Sequence, residues 1–183
     1  MTLTKTPICN FGEKAKDFNL LSTENRKVSL NDIRGENGTL IMFICNHCPY
    51  VKAIIKDVVQ DVKYLETLGI KSTAIMSNDV KNYPEDSFEN MISFSKLHAF
   101  SFPYIIDDTQ EIAKEYGAVC TPDFFGYNNK LGLQYRGRLD ESRKESVDGA
   151  KRELFEAMKQ ISITGRGPDH QIPSMGCSIK WFE

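Results

Sequence analysis

Residues Thr39 to Tyr50 read Thr-Leu-Ile-Met-Phe-Ile-Cys-Asn-His-Cys-Pro-Tyr, and this stretch decides the fold. Its first part, Leu40 to Ile44, is a continuous apolar run of strand length, typical of a strand buried on both faces of an α/β sheet. From residue 50 to about 68, apolar side chains recur at helical spacing and form one stripe. Cys45 and Cys48, in C-x-x-C spacing, therefore lie where a buried strand gives way to a helix.

This strand-to-helix junction predicts a reactive sulfur. The first N–H groups of a helix have no partner inside it, and the helix dipole is positive at that end. Because both effects stabilise an anion, we expect a lowered pKa at Cys45, whose thiolate would be the nucleophile. Residues i and i+3 share a helix face, so we expect Cys48 one turn further in, where it closes a disulfide onto Cys45. Asn46 and His47 separate the cysteines and set their redox poise, since a cationic His47 favours the thiolate.

The composition is that of an ordinary globular protein. The 183 residues carry a formal net charge of −2 with acidic and basic groups interspersed, which disfavours a nucleic-acid or anionic-membrane partner. Residues 1–7 lack the apolar core of a signal peptide, and no apolar run approaches the ~20 residues of a membrane helix. We therefore expect a soluble, cytoplasmic protein, in which a close cysteine pair is typically catalytic or metal-binding.

The remaining pattern predicts an α/β fold with a mixed central β-sheet flanked by helices. Extended pieces are expected near 18–21, 28–30, 70–76 and 102–106, a hairpin at 124–136, and helices at 86–98, 107–116 and 146–161. Asp86 and Glu89 have capping-box spacing at the start of the first of these helices. We expect one domain over residues 1–183, with a core of about 12–162 and an irregular tail at 163–183.

The motif Cys45-Asn46-His47-Cys48, the helix that follows it, and Thr121-Pro122 before a hairpin together resemble the thioredoxin superfamily. The resemblance implies a thioredoxin-like fold in which the proline before the hairpin is cis and lies against the cysteine pair. Carried over to this sequence, that residue is Pro122. The backbone polar groups of Cys120 and Thr121 would then be exposed for pairing with an incoming disulfide chain.

The chain is more closely similar to a peroxiredoxin-like branch, related to the alkyl hydroperoxide reductase/thiol-specific antioxidant group. The resemblance is carried by the cysteine motif and by residues 12–21, 83–87, 102–104, 116–125, 137–143 and 173–181. It implies thiol-based redox chemistry without a cofactor. The implied partners are a protein or small-molecule disulfide, or a peroxide, and a thiol reductant.

The sequence departs from the peroxiredoxin pattern Pro-x-x-x-Thr-x-x-Cys followed by an arginine. When Cys48 is aligned with the peroxidatic cysteine, Cys45 stands at the threonine position and Ile41 at the proline position. The hydroxyl that would orient a peroxide is therefore missing. Arg136 and Arg138 are available as the arginine, but we expect each of them to be a solvated side chain instead.

The other cysteines and histidines leave alternatives open. Cys120 either forms an alternative disulfide near the pair or is a small buried residue. Cys177 is a resolving thiol if the Gly/Pro-rich tail folds back toward the site. We expect Cys9 to be inert, and His98 and His170 to lie at the surface or at helix ends.

Three functions follow from these features. The first is thiol–disulfide exchange at the cysteine pair, and the second is reduction of a peroxide through a sulfenic acid. The third is a metal-binding or redox-sensing module, in which Cys120, Cys177 or His47 would complete a zinc shell. We expect the first of these, with no metal ion at the site.

Overall fold

The structure is a computed structural model, and it describes residues 2–183. The helices are α1 (Pro49–Thr67), α2 (Phe88–Leu97), α3 (Glu111–Tyr116) and α4 (Glu153–Thr164). The first five strands are β1 (Leu3–Lys5), β2 (Asn19–Ser22), β3 (Lys27–Ser29), β4 (Gly38–Phe43) and β5 (Ile70–Met76). The other five are β6 (Tyr104–Ile106), β7 (Cys120–Thr121), β8 (Asp123–Tyr127), β9 (Leu133–Tyr135) and β10 (Met175–Ser178).

Strand β4 lies inside the main sheet, between β5 and β8, and the strand order is β3-β2-β6-β5-β4-β8-β9. The β4–β5 and β5–β6 pairs are parallel, and the other pairs are antiparallel. Every residue of β4 is buried, as its continuous apolar run predicts. The predicted mixed sheet flanked by helices is therefore confirmed.

Helices cover both faces of this sheet. Leu40 and Met42 of β4 pack in the cluster that includes residues of α1, α2 and α4, whereas Ile41 and Phe43 pack on the opposite face beside α3. Full burial of such a side chain contributes about 1.5–3 kcal/mol. This double packing holds the end of β4, and hence the cysteine-bearing loop after it, against a rigid core.

A second, smaller sheet has the order β1-β10-β7 and corrects the prediction for the C-terminal tail. Residues 163–183 were expected to be irregular, but they contain β10, which pairs with β1 near the N-terminus. Both strands are short, with three and four residues, so their extended form depends on tertiary pairing as well as on local sequence. Gly176 permits the close approach, because a Cβ there would lie 1.9 Å from the Thr121 carbonyl oxygen.

Three predicted helix starts are two to seven residues too early. Helix α3 begins at Glu111 rather than at residue 107. The last helix begins at Glu153 rather than near residue 146. Helix α2 begins at Phe88 and is capped by Ser87, whose side chain accepts from the Asn90 N–H, so the predicted capping box at Asp86 does not form. Asp86 instead ends a short 3-10 helix, Pro84–Asp86, and is fully buried.

The single-domain boundaries stay a prediction. Among the described residues, no helix combines the length and the apolar character that crossing a membrane requires.

Candidate active site

The two cysteines of the motif lie just before α1. Helix α1 starts at Pro49, where the missing N–H costs nothing, and Cys48 is its N-cap with an extended backbone (φ −66°, ψ 122°). Cys45 lies three residues earlier, in the loop that follows β4. The sequence prediction placed Cys45 at the helix end and Cys48 one turn inside, which is wrong by one turn. The helix N-terminus therefore acts on Cys48.

The sulfur atoms of three cysteines and the backbone before Pro122 converge. Cys48 Sγ lies 3.1 Å from Cys177 Sγ and 3.2 Å from the Thr121 carbonyl oxygen. Cys45 Sγ lies 3.4 Å from Thr121 Oγ1. The Thr121–Pro122 peptide bond is cis, as the resemblance implied. All three sulfur-bearing residues are buried, so the reacting atoms sit in a protein environment rather than in open solvent.

The protonation pattern differs from the one expected from sequence. Hydrogen bonding with the Cys45 thiol, and then with Cys177, lowers the pKa of Cys48 to about 5 against the opposing effect of burial. The same hydrogen bond with Cys48, together with burial, raises the pKa of Cys45 well above its usual range. Burial raises the pKa of Cys177 to about 12. The pKa shifts therefore run opposite to the prediction of a lowered pKa at Cys45, and they favour a thiolate at Cys48, the residue at the helix N-cap.

Asp86 organises the loop between the cysteines, and sequence reasoning missed it. Asp86 Oδ1 accepts from the backbone N–H of Asn46 at 2.8 Å and from that of His47 at 3.3 Å. Asp86 Oδ2 lies 2.6 Å from His47 Nδ1 and accepts from Asn78 Nδ2 at 2.8 Å. Burial opposes ionisation, but the hydrogen bonds from His47 and Asn78 hold the pKa of Asp86 below its usual value. The hydrogen bond to Asp86 correspondingly raises the pKa of His47.

Both residues between the cysteines are held in place. Asn46 Oδ1 accepts from the hydroxyl of buried Tyr104 at 2.8 Å, and Asn46 Nδ2 donates to the Glu85 carbonyl at 3.2 Å. The His47 ring stacks on Tyr83, with centroids 5.9 Å apart and an interplanar angle of 9°. Stretch 83–87, which carried part of the resemblance, thus forms one wall of the site.

The arginines named from sequence are engaged by carboxylates. Arg136 is buried and pairs with Asp123 at 3.0 Å, so the expectation of a solvated side chain is wrong for it. Arg138 pairs with Glu153 at 2.7 Å. Neither of these two ion pairs includes a cysteine of the site.

The structure also shows the surroundings of the other cysteines and histidines named from sequence. Cys120 is fully buried, with its Sγ 3.6 Å from the Pro122 carbonyl oxygen, and burial raises the pKa of its thiol. Cys9 is half-buried, and burial raises its pKa to about 11. His98 is the C-cap of α2, and His170 is exposed.

One group of side chains has atoms close enough to hold an ion. A sulfur, an imidazole nitrogen and a carboxylate oxygen of Cys45, His47 and Asp86 lie within 4.8 Å of one another. The donor set is suited to Zn²⁺ in type, but structural zinc takes four ligands. The 2.6 Å contact between His47 Nδ1 and Asp86 Oδ2 fits a hydrogen bond, which already satisfies two of the three atoms.

Comparison with known proteins assigns the chain to a family. The model of the AhpC/TSA family matches residues 11–142. None of the curated proteins is similar enough to the chain to count as a match.

Solved structures agree with this match. An uncharacterized conserved protein from Geobacillus kaustophilus has 40% identity and a TM-score of 0.93, covering 100% of this chain and 97% of that one. The thioredoxin domain of a thiol-disulfide oxidoreductase from Bacteroides vulgatus has 15% identity and a TM-score of 0.59, covering 73% and 89%. A peroxidoxin from Mycobacterium tuberculosis has 11% identity and a TM-score of 0.61, covering 85% and 96%.

The two distant structures confirm the predicted thioredoxin-like fold. The family model covers more than half of the sequence and includes both cysteines of the motif. The chain therefore belongs to the AhpC/TSA family.

Proposed function

We propose that the protein is a thiol–disulfide oxidoreductase whose redox pair is Cys45 and Cys48. The observation that carries this proposal is the position of Cys48 at the N-cap of α1, with a pKa lowered to about 5. A thiol that is ionised near neutral pH is the form that attacks a disulfide. Membership of the AhpC/TSA family supports thiol-based redox chemistry.

The reaction starts with attack by the Cys48 thiolate on one sulfur of a substrate disulfide. A mixed disulfide forms, and the other substrate sulfur leaves as a thiolate that takes up a proton. Cys45 then loses its proton and attacks the Cys48 sulfur, which releases the second substrate thiol and leaves a Cys45–Cys48 disulfide. The substrate gains two electrons and the pair loses two, which a thiol reductant restores.

Asn46, His47 and Asp86 act as positioning residues in this proposal. The hydrogen bonds from Asp86 to the backbone N–H groups of Asn46 and His47 hold the loop that joins the two sulfurs. Thr121 contacts both sulfurs, one through its hydroxyl and the other through its carbonyl. The cis bond to Pro122 follows directly and shapes the same edge of the site.

Peroxide reduction is the second candidate, and the lowered pKa at Cys48 favours it. Cys48 is the cysteine that aligns with the peroxidatic position of peroxiredoxins. Two features count against efficient catalysis. Cys45 stands where a peroxiredoxin has threonine, and Arg136 is bound to Asp123.

The experiment compares the two substrates with the same protein and the same thiol donor. We expect turnover of a small model disulfide well above that of an unstructured dithiol peptide, and peroxide consumption close to the rate of a free thiol. Faster peroxide consumption than disulfide reduction would favour the second candidate. Elemental analysis of protein purified without chelator is the control, and a stoichiometric metal ion would support a metal-binding module instead.

A further inference from the structure

The edge of β7 is occupied by β10, a strand of the same chain. The resemblance implied that the backbone of Cys120 and Thr121 is open to an incoming disulfide chain. Instead, β10 pairs with β7 in antiparallel fashion, with Cys177 opposite Thr121 and Ser178 opposite Cys120. A strand added to an exposed edge is a common mode of peptide recognition, and here the added strand belongs to the same chain.

This pairing delivers a third sulfur to the redox pair. Cys177 Sγ lies 3.1 Å from Cys48 Sγ, whereas a disulfide bond is about 2.05 Å long, so a movement of about 1 Å would join them. Cys48 thus contacts Cys177 directly and shares a hydrogen bond with Cys45. The sulfur of Cys48 has two neighbouring thiols that can resolve an adduct formed on it.

Strand β10 pairs with another strand along each of its two edges, so the fold itself holds Cys177 beside Cys48. Strand β1 pairs with its other edge, with Leu3 opposite Cys177. Just before β10, Ser174 Oγ donates to the Pro122 carbonyl at 2.8 Å. Just after it, the Ile179 N–H donates to the Val119 carbonyl at 3.1 Å.

We propose that the C-terminal strand acts as an internal substrate and that Cys177 forms a disulfide with Cys48 during the redox cycle. This inference rests on the proposed function, because it needs an adduct on Cys48. The Cys48 thiolate attacks a substrate disulfide, and one substrate thiol leaves. Cys177 then loses its proton and attacks the Cys48 sulfur, which forms the Cys48–Cys177 bond and releases the second substrate thiol.

In the next step, the Cys48–Cys177 disulfide is exchanged for a Cys45–Cys48 disulfide. Cys45 attacks the Cys48 sulfur, the bond to Cys177 breaks, and Cys177 takes up the proton that Cys45 lost. Because β10 covers the peptide edge throughout, the oxidant that reaches Cys48 is a small molecule rather than an extended protein strand. The protein therefore favours a low-molecular-weight disulfide over a disulfide held in a folded protein.

The test uses a variant in which Cys45 does not compete. Cys45→Ser protein is mixed with one equivalent of an aromatic disulfide that releases a coloured thiolate. We expect one coloured thiolate from attack by Cys48 and a second from resolution by Cys177, and peptide mapping should locate the Cys48–Cys177 bond. Cys45→Ser/Cys177→Ser should release only the first and keep the mixed disulfide.

Cys45→Ser/Cys120→Ser is the matched control. It removes a buried thiol that lies in β7 beside the same edge, and it should still release both coloured thiolates. A persistent mixed disulfide in Cys45→Ser, or a bond between Cys48 and Cys120, would overturn the proposal.

A second variant displaces β10 without replacing any cysteine of the site. The added Cβ of Gly176→Ala would lie 1.9 Å from the Thr121 carbonyl oxygen, so β10 must shift away from β7. Since misplacement by about 1 Å can slow a positioned reaction about a hundredfold, we expect a comparable loss in the second release, measured in the Cys45→Ser background. Gly132→Ala is the control, because its Cβ would meet nothing closer than 3.5 Å. An unchanged second release in the Gly176 variant would count against the inference.

Failure of this inference differs from failure of the proposed function. If wild-type protein turns over a small disulfide and forms the Cys45–Cys48 bond, while Cys45→Ser never forms Cys48–Cys177, only the inference falls. If wild-type protein does not turn over a disulfide at all, the proposed function falls with it.

Discussion

Cys48→Ser is expected to lower disulfide turnover by at least about a thousandfold, because removing a nucleophile typically costs that much or more. The serine hydroxyl is not ionised near neutral pH and cannot form a disulfide. No other sulfur of the three-cysteine group has a lowered pKa, since Cys45 and Cys177 both shift upward. The measurement is steady-state reduction of a small model disulfide with a thiol donor in excess.

Cys45→Ser is the matched control for this prediction. It removes a sulfur from the same loop but supplies a hydroxyl that can donate to the Cys48 thiolate in place of the Cys45 thiol, so the first attack on substrate should survive in a single-turnover experiment. If Cys45→Ser lost the first attack and Cys48→Ser kept it, the roles would revert to those expected from sequence.

Asp86→Asn is expected to destabilise the reduced protein by about 3 kcal/mol, as measured by urea unfolding, because breaking a buried ion pair costs about 3–5 kcal/mol. The Asp86 side chain is fully buried and accepts four hydrogen bonds, including the 2.6 Å contact with His47 Nδ1. An amide has one acceptor oxygen and no charge. Asp108→Asn, at an exposed position, is the control and should change stability by no more than about 0.5 kcal/mol.

The same variant should change the pH dependence of stability. The pKa of His47 is raised above 6.5 by its hydrogen bond to Asp86. The ion pair therefore contributes fully between pH 3.8 and pH 6.5, the ordinary pKa values of the two groups. This contribution is lost as the pH rises through the raised pKa of His47, or falls through the lowered pKa of Asp86. In Asp86→Asn this loss should disappear. A variant that unfolds with the wild-type free energy and the wild-type pH dependence would contradict the role given to Asp86.

Elements with a long, regular pattern were predictable from the sequence. The β-branched run at 70–76 is β5 with the same limits, and the helical stripe after residue 50 is α1. In both cases the apolar spacing that defines the element is also the surface that the core buries. The cysteine pair was recognisable for the same reason, since it lies between the apolar run of β4 and the helical stripe of α1.

The parts of the site that depend on long-range contact were not predictable. Asp86 has the spacing of a helix cap, and only the packing of the 3-10 helix against the cysteine loop turns its carboxylate toward His47. The residue that caps the helix is the next one, Ser87. Cys177 is 129 positions from Cys48, and although Met175, Cys177 and Ile179 alternate with small or polar residues, this local pattern does not reveal which strand is the partner. One available signal was Gly176 beside Cys177, which marks a close backbone approach.

The reversal between the two cysteines follows from the hydrogen bond between them, which lowers the pKa of Cys48 and raises that of Cys45, and the start of the helix favours the same outcome. Pro49 is suited to the first helical position, so α1 begins there and leaves Cys48 as the N-cap. The dipole effect falls off within the first turn, and Cys45 lies outside it. A helix that started at residue 46 would have favoured the other sulfur.

The central claim is that Cys48 is a thiolate at neutral pH, and the most direct test is a pH titration of the ultraviolet thiolate absorbance of the reduced protein. The oxidised protein serves as the blank, and Cys48→Ser identifies the signal. We expect one thiolate to appear with a midpoint near pH 5 and to be absent from Cys48→Ser. A first midpoint near pH 9, the ordinary value for a cysteine, would contradict the account.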